Sequence, residues 1–145
     1  MNDLTGNFAG VESNMPKYII LTNCNEVVRV SPERIAYIIS DGNYSSMILT
    51  DSEKHVFSFN LLAFERIIGQ QLESEPKSLI RLGKQLIING RYIYYINISK
   101  QQIILSDISF PTKFTLNASK EALRTLKTTL EESVKEHKMS KALSK

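Results

Sequence analysis

Residues 80–96 read IRLGKQLIINGRYIYYI, a set of short apolar runs broken once by a polar insert. Leu79–Leu82 and Leu86–Ile88 have strand length and aliphatic character, and Gly83-Lys84-Gln85 lies between them where the chain must change direction. Asn89 closes the second run. Tyr92–Ile98 then alternates, with Tyr92, Tyr94 and Ile96 on one side and Ile93, Tyr95 and Asn97 on the other. The three tyrosines are expected in the core or on a sheet face. Ser99-Lys100-Gln101 is a polar turn into Gln102–Leu105, a second hairpin. Lys84 and Gln85 should therefore project from a loop held by its flanking strands. A cation beside an amide suits nucleic acid, because Lys reaches phosphate or guanine acceptors and Gln can pair with adenine in the major groove. Spacing alone leaves a second reading open, a charged hairpin turn without a role.

Working outward, strand signals continue on both sides. Tyr18–Leu21 and Val27–Val30 flank the turn-like Thr22-Asn23-Cys24-Asn25. Ile35–Ser40 and Ser46–Thr50 flank Asp41-Gly42-Asn43, whose Asp-Gly pair is a strong hairpin signal. Lys54–Phe59 is a further strand. Asn60 has the chemistry of a helix N-cap, and Leu61, Phe64, Ile67 and Ile68 follow at helical spacing until Gly69 and the polar stretch to Pro76. Thr112–Leu116 predicts the last strand. Asn117 and Ser119 compete to cap a final helix with an inward stripe of Ala122 or Leu123, Leu126, Leu130 and Val134. The prediction is a mostly β, antiparallel domain with one short internal helix and a C-terminal helix. Residues 1–17 are expected to be a flexible arm, 18–134 the domain, and 135–145 a basic tail that frays.

The chain has 145 residues, room for one ordinary domain, and a formal charge of +3. That total hides a gradient. Residues 1–16 carry only Asp3 and Glu12, whereas Ile80–Lys127 holds eight bases against Asp107 and Glu121, a local +6. Such a half can be the footprint of a polyanion, or a solvated surface whose charges cancel in three dimensions. The apolar runs are far shorter than the roughly 20 residues that span a bilayer. The start, MNDLTGNFAG, lacks both the basic and the apolar regions of a secretory signal. A single cysteine, Cys24, excludes an intrachain disulfide and points to a reducing cytoplasm. No membrane contact is expected.

Catalytic residues, cofactors and metal ligands are not expected either. His55 and His137 have no partners at ligand spacing, and no glycine-rich phosphate loop is present. Cys24 and His55 could be imagined as nucleophile and base, but a lone cysteine is usually a small hydrophobe or a bystander. Asp51/Glu53 and Glu73/Glu75 lie in polar turns and read as solvated surface. An enzyme is disfavoured.

Arg81-Leu82-Gly83-Lys84-Gln85-Leu86-Ile87-Ile88-Asn89 resembles the signature of the LytTR DNA-binding domain: Arg, one residue, His, Arg/Lys, Ser/Gln, one residue, two aliphatics and Asn. Ile35–Tyr44 is similar to that family's first strand and loop, and Phe114–Lys120 resembles its final strand and the approach to the last helix. The order and spacing extend the likeness over about residues 18–131. One departure is Gly83, where the family usually has His. The resemblance implies an elongated fold of small antiparallel sheets that sets loops, not a recognition helix, into successive major grooves of double-stranded DNA. It implies DNA-binding roles for Asn43, Tyr44, Ser45 and Ser46 on the first loop, Lys84 and Gln85 on the second, and Lys120 before the last helix. Arg81 would brace the loop or touch phosphate. Lys100 has no counterpart in the signature. The implied function is a sequence-specific transcription regulator, with two copies on a repeated site and a regulatory protein as a potential partner. Only 17 residues precede Tyr18, too few for a receiver domain, so a stand-alone regulator or a fragment is expected. The alternative, motivated by Gly83 and the modest net charge, is a protein-interaction module that kept the fold and lost DNA affinity.

Overall fold

The computed structural model describes residues 17–72 and 78–143, with side chains as far as Lys135. Apart from Lys17, the expected N-terminal arm lies outside the described residues. The elements run β1 (Ile19–Thr22), β2 (Val27–Val30), β3 (Ile35–Asp41), β4 (Tyr44–Leu49), β5 (Lys54–Phe57), α1 (Leu61–Gln71), β6 (Leu79–Leu82), β7 (Leu86–Asn89), β8 (Ile93–Asn97), β9 (Gln102–Leu105), β10 (Phe114–Asn117) and α2 (Lys120–Leu143). Short 3-10 turns at Pro32–Arg34 and Gly90–Tyr92 lead into β3 and β8. The strands form three antiparallel sheets: β1-β2, β5-β4-β3-β7-β6 and β10-β9-β8. The molecule is mostly β with an internal and a C-terminal helix, as the sequence predicts.

β7 explains how these layers join. All four of its residues, Leu-Ile-Ile-Asn, are buried. Side chains alternate across a strand, so Ile87 enters one core while Leu86 and Ile88 enter another on the opposite face. β3 repeats the pattern, with Ile38 in the first core and Tyr37 packed against the second. A run of aliphatics without alternating polar residues is what a strand covered on both faces requires. The first core collects Met47 and Phe57 from the five-stranded sheet, Leu61 and Phe64 from α1, and Ile19, Leu21 and Val30 from the β1–β2 hairpin. The second collects Leu82, Leu86 and Ile88 with Ile103, Leu105 and Leu116 from the small sheet and Leu123 and Leu126 from α2.

Polar groups fix the joints. Asn89 is fully buried; its Nδ2 donates to the carbonyls of Pro32 and Ile35 at 3.1 and 2.9 Å, and its Oδ1 accepts from the Arg91 N–H at 3.0 Å. The Tyr92 hydroxyl donates to the Glu33 carbonyl at 2.6 Å. The start of β3 is thereby tied to the end of β7. Asn60 caps α1 as expected, accepting from the Ala63 N–H at 2.9 Å. Ser119, not Asn117, caps α2, accepting from the Ala122 N–H at 3.1 Å.

α1 ends at Gln71 after about three turns, as expected; it passes through Gly69, and the Gln71 side-chain amide pairs with both backbone groups of Ile20 at 2.8 and 2.9 Å. That external hydrogen bonding offsets the roughly 1 kcal/mol that a helical glycine costs. α2 is helical to Leu143; 135–143 holds no Gly or Pro and consists largely of good helix formers. Tyr92 sits in a 3-10 turn, and a register shift between Ile93 and Tyr95 breaks the alternation of β8. Tyr92 joins the core, while Tyr94 and Tyr95 lie on sheet faces of this edge strand, 71% and 41% exposed, in line with the expectation of core or sheet-face positions.

Candidate nucleic-acid interface

Antiparallel register brings two hairpin tips to one end of the central sheet. β3 lies between β4 and β7, and its last residues pair with the first residues of both, Asp41 with Tyr44 and Ile39 with Leu86. The Ser40 N–H donates to the Gln85 carbonyl at 2.8 Å, extending the ladder into the second loop. Gly42-Asn43 and Gly83-Lys84-Gln85 are therefore neighbours. Asn43, Tyr44, Lys84 and Gln85 are all exposed, Tyr44 by 54%.

The first tip is tighter than the sequence suggests. Pairing of Asp41 with Tyr44 leaves a two-residue turn, with Gly42 in the left-handed region at φ 66°. β4 consequently begins at Tyr44, and the next two residues already belong to the sheet. Ser45 has no exposed surface, and its hydroxyl donates to the Phe59 carbonyl at 2.7 Å. Ser46 is 7% exposed and lines a shallow groove with Tyr37, Ile39, Ile48 and Lys54. Ser45 and Ser46, expected on the loop, are not displayed on it.

In the second tip Gly83 has φ 67°, and a Cβ there would meet nothing within 4 Å. Backbone conformation, not lack of space, makes glycine the fitting residue here. Arg81 is spent on the protein. Its Nε donates to the Gly83 carbonyl at 2.8 Å, one Nη donates to the Lys84 carbonyl at 3.2 Å, and the other pairs with the Glu65 carboxylate on α1. Of the two expected roles for Arg81, the geometry matches bracing.

A third tip lies between β8 and β9. Asn97 Oδ1 accepts from the Ser99 hydroxyl at 2.9 Å and from the Lys100 N–H at 3.0 Å, and Gln101 takes φ 54°. The Ala118 N–H donates to the Gln101 carbonyl at 3.2 Å, which seats this tip beside the start of α2. Lys100 and Lys120 are both exposed. Leu82 and Leu86, which bracket the second tip, share a core with Leu116, Leu123 and Leu126 on either side of Lys120. Among the described residues Lys84, Lys100 and Lys120 form no ion pair. Lys100, which no motif marks, is an exposed base at this hairpin tip.

Residues considered for other chemistry do not converge. Cys24 is exposed in the β1–β2 turn, while His55 on β5 contacts Glu53 at 2.6 Å. Burial pushes the Tyr37 and Tyr92 phenols up, and hydrogen bonds from Ser109 hold the Asp107 carboxyl below its ordinary value. Among the described residues no group of three or more His, Cys, Asp or Glu could hold a metal, and no helix is long and apolar enough to cross a membrane.

Comparison with known proteins identifies the fold and the family. The chain superposes on a solved LytTr DNA-binding domain of a protein described as a methyl-accepting/DNA response regulator from Bacillus cereus. The TM-score is 0.56 at 16% identity, over 80% of this chain and 98% of that one. That likeness shows the fold. No curated protein matches significantly. The family model for the LytTr DNA-binding domain matches residues 25–131, so the chain belongs to the LytTR family of DNA-binding domains.

Proposed function

We propose that this chain is a sequence-specific, double-stranded DNA-binding transcription regulator of the cytoplasm that sets the first two tips in the major groove. Asn43, Tyr44, Lys84 and Gln85 face base edges, and Lys100 and Lys120 bind phosphate. The observation that carries this reading is the Ser40–Gln85 hydrogen bond, which joins the first two tips at one sheet end with their polar side chains outward. Base contacts specify a site while phosphate contacts position the protein on it. Lys can reach guanine O6/N7 and Gln can bind adenine N6/N7, whereas the third tip stands apart from the first two, beside the start of α2, where its lysine adds charge to a helix N-terminus. Two copies on a repeated site, and a regulatory protein partner, belong to the same reading and are tested by binding stoichiometry and by pull-down with the intact chain.

Selection from a random duplex pool with the purified chain, read by sequencing, tests the proposal. An enriched motif is expected, with affinity that falls steeply between low and moderate salt. A pool that stays random, or a flat salt response, would contradict it and favour the protein-interaction module.

A further inference from the structure

From the hydrogen bonding of one guanidinium, we infer that Arg81 and Glu65 form a strut that fixes loop 83–85 in its base-reading conformation without touching DNA. They are positioning residues. The inference rests on the proposed reading of DNA by Lys84 and Gln85 and adds to it a residue, Glu65, on an element that carries none of the expected contacts.

Loop 83–85 has little to hold it otherwise. Its side chains are exposed, β6 is an edge strand, and Gly83 contributes no side chain. Only the Gln85 carbonyl is tied to the sheet, by Ser40. The two remaining carbonyls, of Gly83 and Lys84, are the ones that Arg81 binds. A guanidinium is a planar fork with five donors, so one side chain can gather two carbonyls and a carboxylate. Glu65 supplies the third point from α1, whose Leu61 and Phe64 are anchored in the first core. The strut therefore refers the loop to the first core. With those donors engaged, the Arg81 charge is oriented into the protein, and its side chain is 30% exposed against 38% for Glu65. A phosphate-binding arginine would instead present its fork to solvent. The carbonyls held by the strut belong to the residue before Lys84 and to Lys84 itself, so the strut sets the direction in which the Lys84 side chain leaves the backbone.

The test compares Arg81→Met, Glu65→Gln and Lys84→Ala in the full chain. Arg81→Met should weaken binding to the selected duplex by about tenfold and relax the same base positions as Lys84→Ala. Affinity for random duplex, and the slope of log K against log salt, should stay at wild-type values. Glu65→Gln should move the same positions less, since an amide oxygen still accepts from Arg81. In the double variant, Arg81→Met should add little to Lys84→Ala, because it acts through that residue. Backbone order parameters at Gly83–Gln85 in the free protein should drop from about 0.85 to below about 0.6 in Arg81→Met while the unfolding midpoint moves little. Loss of non-specific affinity with a salt slope lower by about one would make Arg81 a phosphate contact and overturn the strut. Unchanged order parameters in the loop would overturn it as well. If the wild type selects no sequence, the DNA reading fails by itself; the order parameters still report whether the strut holds the loop.

Discussion

Gly83-Lys84-Gln85 and Ser99-Lys100-Gln101 are close to the same turn written twice. Each has a central exposed lysine, a glutamine after it, and one residue in the left-handed region, Gly83 at φ 67° and Gln101 at φ 54°. They differ in what holds them. The 99–101 tip is held by Asn97 of its own hairpin and by the Ala118 N–H, which donates to the Gln101 carbonyl. The 83–85 tip is held by Arg81 of its own hairpin and through it by Glu65 on α1, and it adjoins a second tip at Ser40. A turn without a neighbouring tip can deliver a charge on its own. A turn referenced to the core, with a neighbouring tip alongside, can present two different polar groups in a fixed relation, which base reading requires and phosphate binding does not.

Breaking the shared support should have the largest effect. Leu126 is 3% exposed in the core beneath both the 83–85 tip and the start of α2. Leu126→Ala should cost about 2–5 kcal/mol of stability by denaturant unfolding. Further along α2, Val134 is 55% exposed, and Val134→Ala should stay within about 0.5 kcal/mol. Lys84→Ala comes next: about 1–3 kcal/mol of binding to the selected duplex, with preference altered at one position, measured by titration against single-base variants of the site. A Lys84 variant that binds as well as wild type would remove the contrast between the two turns. Of the two tip lysines, Lys100→Ala should have the smaller effect on binding, a similar loss on every duplex and a salt slope lower by about one. A change of base preference in that variant would make the 99–101 tip a reader as well.

Much of the fold is legible in the sequence because strand length and turn chemistry are local. Val27–Val30, Leu79–Leu82 and Gln102–Leu105 form as predicted to the residue, and Asn60 caps α1. The differences arise where a distant group decides. Ser45 is polar and follows a turn, but Phe59, fourteen residues on, accepts its hydroxyl and the sheet covers it. The end of α1 is held by the β1 backbone through Gln71, a partner that helical spacing does not reveal. Which tyrosines lie on a sheet face and which in the core depends on the edge position and shifted register of β8, neither of which periodicity reveals. In the site, family motifs mark Lys84, Gln85 and Lys120, and a bare exposed lysine at 100 has no motif to mark it. The bracing role of Arg81 needs the position of Glu65, sixteen residues earlier, and only the folded chain supplies it.

Methylation interference on the selected duplex tests the central claim most directly. Methyl groups on guanine N7 block the major groove, and those on adenine N3 block the minor groove. Loop reading predicts interference at guanine N7 in tracts spaced by about one helical turn of 10 base pairs, with one position lost in Lys84→Ala. Interference confined to adenine N3, or none at all, would contradict it.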